Sequence, residues 1–174
     1  MRTLGLGGAA MACTAVARPV WAEAATHAPV PAGVVAPHGC DVLLLTCMDF
    51  RLQNETVAYM DRRGLRDNYD HVVLAGASLG VLTQERPDWG LTFWDHLDTA
   101  IKLHGIRKVM VIDHLDCGAY KVFVGEAVMK DPAAELVAHG QRLRLLRSAI
   151  NVQNAMLEVE LGIMALDGTV QTVT

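Results

Sequence analysis

The chain has 174 residues, 52% hydrophobic and 20% charged, with 15 Lys and Arg against 19 Asp and Glu for a net charge of −4. That length holds one domain of ordinary size, and that apolar content excludes a disordered chain. The acidic balance excludes a general nucleic-acid binder, and beyond the N-terminus no apolar run reaches the ~18 residues of a membrane span.

Residues 1–25 carry one acidic side chain, Glu23, and two basic ones, Arg2 and Arg18. Leu4 to Val16 is an uncharged run rich in Gly and Ala, followed by small residues at Ala22 and Ala24. This pattern reads as an export signal, placing the mature protein in the periplasm or otherwise outside the cytoplasm and free of the membrane once the signal is cut. A buried N-terminal helix, and hence a cytoplasmic protein, is the other reading. Residues 26–40 follow as a Pro- and Ala-rich linker or arm, and His27 and His38 within it read as solvated. Four cysteines lie at 13, 40, 47 and 117. Loss of Cys13 with the signal leaves three, which suits metal or redox chemistry better than a disulfide framework.

From residue 41 the pattern alternates between apolar runs and helical periods. Asp41–Thr46 reads as a strand buried on both faces. Leu52–Arg63 reads as a helix stopped by Gly64, and His71–Ala75 as a second buried strand broken by Gly76 and Gly80. Thr92–His104 is a helix with Trp94, Leu97 and Ile101 at spacings of three and four, ended by Gly105. Lys108–Asp113 is a third strand, and Gly118–Met129 and Ala133–Ile150 are helices. Glu158–Leu166 and Thr169–Thr174 flank Asp167-Gly168, a two-residue hairpin signal. Strands alternating with helices predict an α/β domain over 41–174, with a mainly parallel sheet flanked by helices and a C-terminal edge hairpin.

The chemistry-bearing residues sit at strand ends. The first strand ends in Cys47-Met48-Asp49-Phe50-Arg51, the third in Asp113-His114-Leu115-Asp116-Cys117-Gly118. Cys47, His114 and Cys117 offer two thiolates and one imidazole, a set suited to Zn²⁺ with a fourth position left for water. Zinc brings the pKa of such a water from 15.7 to about 7. Asp49 is placed to accept a hydrogen bond from the resulting hydroxide, and Arg51 to hold Asp49 through a bidentate pair. Asp116 reads as a helix N-cap, Cys40 as a small residue at the start of a strand rather than a fourth ligand, and the Arg142, Arg144, Arg147 group as a solvated helix face. Asp113 reads either as a plain strand-end carboxylate or as a hydrogen-bond partner of a zinc ligand.

C-x-D-x-R followed some sixty residues later by H-x-x-C-G resembles the β-class carbonic anhydrases. Val109–Lys121, Gly105–Lys108 and Leu161–Val170 are similar to that family around the same positions, so the resemblance spans about residues 41–174. It implies one Zn²⁺ per chain held by Cys47, His114 and Cys117. Asp49 and Arg51 form the acid–base dyad, with Asp49 able to take the fourth zinc position in a closed, inactive form. The implied activity is that of a zinc-dependent lyase, a carbonate dehydratase: zinc-bound hydroxide attacks CO₂ to give bicarbonate and a proton. The implied assembly is a homodimer or higher oligomer, with His71, His96 and His104 as unresolved candidates for a proton shuttle. Two departures stand out: the second strand runs into Leu74-Ala75-Gly76-Ala77-Ser78 where the family has Arg-Asn-Ala-Gly, and Asp113 replaces the usual Gly. They leave open hydrolysis of carbonyl sulfide or carbon disulfide on the same fold, and a catalytically silent zinc-binding homologue.

Overall fold

The computed structural model describes residues 39–174, so the expected export signal, Cys13, His27, His38 and most of the arm lie outside the described residues. A five-stranded sheet runs in the order β2-β1-β3-β4-β5. Its strands are β1 (Val42–Thr46), β2 (Tyr69–Val73), β3 (Lys108–His114), β4 (Glu158–Met164) and β5 (Val170–Thr172). The first four are mutually parallel and β5 closes antiparallel on β4, so the α/β reading holds.

Helices cover both faces. On one, α2 (Ser78–Leu82), α3 (Pro87–His104) and α6 (Pro132–Gln153) enclose the larger core. There Leu43, Leu45, Val109, Val111 and Leu161 meet Phe93, Leu97, Leu143, Leu146 and Ile150. On the other, α1 (Gln53–Arg62) packs Met60 against Val42, Leu44, Met110 and Ile112. Odd positions of β1 feed the first core and even positions the second, and this division is why the run from Val42 shows no polar alternation.

Several boundaries differ from expectation, each for a physical reason. β2 is an edge strand rather than a buried one, with His71 and Val73 exposed. Its predicted end, Leu74–Ala75, turns instead, because Gly76 and Ala77 both take positive φ (78° and 42°). α3 starts at Pro87, whose fixed φ suits the first helical position, rather than at Thr92. The expected helix over 118–129 is three pieces: α4 (Gly118–Tyr120), a π-helical turn (Lys121–Gly125) and α5 (Glu126–Met129), with Gly125 at φ 121°. The closing hairpin is longer than a two-residue turn: five residues separate β4 from β5, and the Ala165 N–H donates to the Thr169 carbonyl (2.8 Å) across residues 166–168. Gly168 N–H donates to the Ala165 carbonyl and Gly168 itself takes φ 81°.

This order sets the position of the site. From β1 the chain steps to β2 on one side, then crosses to β3 on the other. The carboxyl ends of β1 and β3 therefore flank a topological switch point, where parallel sheets open a crevice for ligands.

Candidate metal centre

Cys47 follows β1 directly, His114 ends β3, and Cys117 precedes α4. Their donor atoms all lie within 4.8 Å of one another, and the residues are 9%, 3% and 1% exposed. The two sulfurs are 3.9 Å apart. Two sulfurs each about 2.3 Å from one tetrahedral Zn²⁺ would lie roughly 3.8 Å apart, so the spacing fits that ion.

His114 supplies the more telling observation. Its Nδ1 lies 2.8 Å from the Leu115 carbonyl oxygen, which can only accept, so Nδ1 carries the proton and Nε2 the lone pair. That Nε2 is buried and has no hydrogen-bond partner. An unpaired buried nitrogen is costly; His139 Nε2 is unpaired as well, but only His114 Nε2 stands beside two sulfurs, where ligation of a metal would satisfy it. The electrostatics agree. The hydrogen bond with Cys117 lowers the Cys47 thiol's pKa against the opposing effect of burial, with help from His114 and the Gly76 N–H at 3.2 Å. Burial opposes charge on His114, yet the Cys47 sulfur and Asp49 together raise its proton affinity. The groups around the Nε2 position thus favour a cation.

Asp49 and Arg51 meet as expected. Arg51 donates from Nε to Oδ1 at 2.9 Å and from Nη2 to Oδ2 at 2.8 Å, a fork on both carboxylate oxygens. This pairing holds Asp49 at a pKa of about 2. Asp49 Oδ2 lies 3.8 Å from His114 Nε2, beside the three donors. Arg51 is anchored in turn by Asp116, through the carboxylate at 2.7 Å and the carbonyl at 3.1 Å. Asp116 is therefore not the expected N-cap. Cys117 occupies that position with no side-chain cap, and Asp116 takes φ 59° with its carboxylate shared between Arg51 and Lys121.

Asp113 has a structural task away from the three donors. Its carboxylate, 1% exposed, accepts from the Ser78 N–H (3.0 Å), the Ser78 hydroxyl (2.7 Å), the Tyr120 hydroxyl (2.6 Å) and His139 Nδ1 (3.0 Å). One side chain thus ties α2, α4 and α6 to β3. Tyr120 packs in the same small cluster as Cys47 and Cys117, so the network steadies the wall behind the sulfurs. Sequence reasoning missed Ser78, Tyr120, His139 and the Gly76 N–H. The signal present was a carboxylate inside an apolar strand, which must find donors somewhere. Among the shuttle candidates, His71 lies 2.7 Å from the Thr46 hydroxyl, while His104 pairs with Asp70 and His96 with the Thr92 carbonyl, both remote from Cys47 in sequence and on α3.

An open groove of about 440 Å³ adjoins Cys47 and Asp49. Its other walls are largely apolar: Met48, Phe50, Ala75, Ala119, Val122 and Phe123.

Residues 38–152 match a protein-family model described as "Putative carbonic anhydrase". An uncharacterized protein of Rickettsia conorii is 37% identical over 131 residues, covering 75% of this chain and 70% of its own length. Another, from Rickettsia bellii, is 36% identical over 131 residues, covering 75% and 80%. Among solved structures, the carbonic anhydrase from Glaciozyma antarctica is similar at TM-score 0.52 and 16% identity, over 82% of this chain and 87% of its own. β-Carbonic anhydrase isoform I of Trichomonas vaginalis gives 0.53 and 16%, over 80% and 85%. One of two tetrameric β-carbonic anhydrases from Sordaria macrospora gives 0.51 and 10%, over 78% and 81%. At these identities the likeness is one of fold.

Proposed function

The chain belongs to the carbonic anhydrase family matched over residues 38–152, and on that premise we propose that it interconverts CO₂ and bicarbonate at one Zn²⁺ held by Cys47, His114 and Cys117. The observation that carries this reading is the buried, unpartnered Nε2 of His114 facing two sulfurs, with a carboxylate 3.8 Å away. Held by these three residues, Zn²⁺ would supply a water of pKa about 7 as the nucleophile at neutral pH. Asp49, ionised at that pH, only accepts hydrogen bonds, so it orients the attacking water by accepting a hydrogen bond from one of its O–H groups. Arg51 fixes both oxygens of Asp49, and Asp116 fixes Arg51. Water is thereby aimed before substrate arrives, and no reorganisation is needed at the moment of reaction. The groove walled by Met48, Ala75, Ala119 and Val122 suits a small linear substrate without charge.

That same apolar wall favours a second reading, hydrolysis of carbonyl sulfide or carbon disulfide, since it offers no polar group to reject sulfur. Parallel assays on zinc-loaded chain separate them. The proposal expects CO₂ hydration far above any release of sulfide, and loss of both metal and turnover in His114→Ala. Sulfide release exceeding CO₂ hydration would move the assignment to the sulfur substrates, and bound zinc with neither activity would make the chain a silent homologue.

The proposal includes a homodimer or higher homo-oligomer, supported by exposed Met48, Phe50 and Val122 beside the site. It also includes export to the periplasm, supported by the composition of residues 1–25. N-terminal sequencing of the mature protein tests the latter, with cleavage near residue 25 expected and an intact Met1 in the cytoplasmic fraction against it.

A further inference from the structure

At the opposite end of the sheet edge, a second group of metal-ligating side chains comes together. Cys40 lies just before β1, Asp70 in β2 and His104 at the last position of α3. One donor atom from each falls within 4.8 Å of the others. His104 Nδ1 and Asp70 Oδ2 are 2.7 Å apart. Cys40 is a free thiol, half-buried, with a 3.7 Å contact to the Val42 carbonyl. Burial first, and then the neighbouring Asp70 carboxylate, raise its pKa and outweigh the backbone groups of Asp70 and Val42 that lower it.

Three elements of different origin supply these donors, and each has a reason to be held. Register opposes Asp70 to Leu43 across the β1–β2 ladder. Gly105 ends α3 in the left-handed conformation, directing the chain away just after His104. The backbone at Gly39 approaches so closely that a Cβ there would stand 2.6 Å from the His104 carbonyl oxygen. The segment entering β1 and the end of α3 are therefore already in contact, and from there Cys40 and His104 bring their donor atoms to Asp70 of β2.

We propose that Cys40, Asp70 and His104 form a second metal site, one that takes a divalent cation of the zinc class and clips the start of β1 to β2 and α3. One sulfur, one imidazole nitrogen and one carboxylate oxygen are all ligands Zn²⁺ accepts. Charge balances as well: on binding, the Cys40 thiol releases one proton to solvent, and the imidazole keeps its single N–H on the ring nitrogen turned away from the ion. A thiolate, a carboxylate and a neutral imidazole then surround a doubly positive ion, for a net charge of zero. The adjoining groove, about 210 Å³ and lined also by His96 and Thr99, gives room for water as the remaining ligand. The side chains of Asp70 and His104 are each about one-third exposed, so the ion has a path in from solvent. This site is independent of the Cys47 centre in residues and in position, and does not rest on the proposed reaction.

The test is the zinc content of the full chain after equilibration with buffered Zn²⁺ and removal of free metal. The expected result is two zinc ions per chain in the wild type, one in Cys40→Ser, one in His104→Gln and one in Cys47→Ser, with circular dichroism checking that each variant is folded. The thermal midpoint of Cys47→Ser should rise with added Zn²⁺, while that of Cys40→Ser/Cys47→Ser should not. One zinc in the wild type, lost in Cys47→Ser and kept in Cys40→Ser, overturns the inference. Two in the wild type, unchanged by both Cys40→Ser and His104→Gln, overturns it as well. One zinc lost in Cys40→Ser but kept in Cys47→Ser upholds the clip and instead removes the metal from the proposed catalytic centre.

Discussion

Two carboxylates of this chain, Asp49 and Asp113, illustrate how environment divides labour between like residues. Asp49 is reached by one partner, Arg51, which grips both oxygens and keeps the group charged at a pKa of about 2. Asp113 is buried under four donors and cannot reach a ligand in solvent. A depressed pKa in the folded state means that the Asp49 pairing adds stability that is fully present above about pH 4 and is lost as pH falls towards 2. Wild type should therefore melt above Arg51→Ala near neutral pH, with the gap narrowing below about pH 4. A gap that stays constant into acid would mean that Arg51 stabilises by packing alone. Removing Asp113 is a different matter, because Asp113→Ala strands the buried Ser78, Tyr120 and His139 donors. A loss of about 3–5 kcal/mol in urea unfolding is expected, typical of breaking one side of a buried charged network. A loss under about 1 kcal/mol would show that water replaces the carboxylate at no great cost.

At the scale of elements, the cluster of Cys47, His114 and Cys117 was legible because these residues sit at the ends of apolar runs, β1 and β3, and such ends mark the crevice side of a parallel sheet. What surrounds those ends was less legible. Five-residue α2 is too short to show a helical period, and β2 reads like a core strand although it lies at the sheet edge. The π-helical turn over Lys121–Gly125 is hidden because Lys-Val-Phe-Val continues a helical composition while Gly125 breaks it. Pro87 was a visible start signal for α3, overshadowed by the apolar spacing of Trp94, Leu97 and Ile101 that begins seven residues later. The Asp113 network joins residues 78, 113, 120 and 139, and no local pattern announces a contact made by tertiary packing. Cys40 looked like a small residue at a strand start for the same reason: Asp70 and His104 reach it only through the fold.

Over the described residues taken as a whole, several large apolar side chains stay outside the helix-covered cores, and three of them gather at the Cys47 groove. Phe50 is 85% exposed, Val122 77% and Met48 64%, and together they border one groove. Contiguous apolar surface of this kind marks an interface between proteins, and a second copy of the chain is the proposed occupant. Phe50→Asp should shift the species seen by light scattering from dimer or larger towards monomer. A wild type that is monomeric at micromolar concentration would contradict that assembly while leaving the metal centre untouched.

The proposed reaction is attack on CO₂ by a water that Asp49 orients at the Cys47 centre. It is tested most directly by stopped-flow CO₂ hydration with wild type and Asp49→Ala, both loaded with zinc to the same content at the Cys47 centre. The account predicts a rate well above buffer for the wild type, increasing as pH rises through the titration of a metal-bound water, and a fall of about 10²-fold or more in Asp49→Ala. Equal rates in the two proteins, or no rate above buffer in a zinc-loaded wild type, would contradict it.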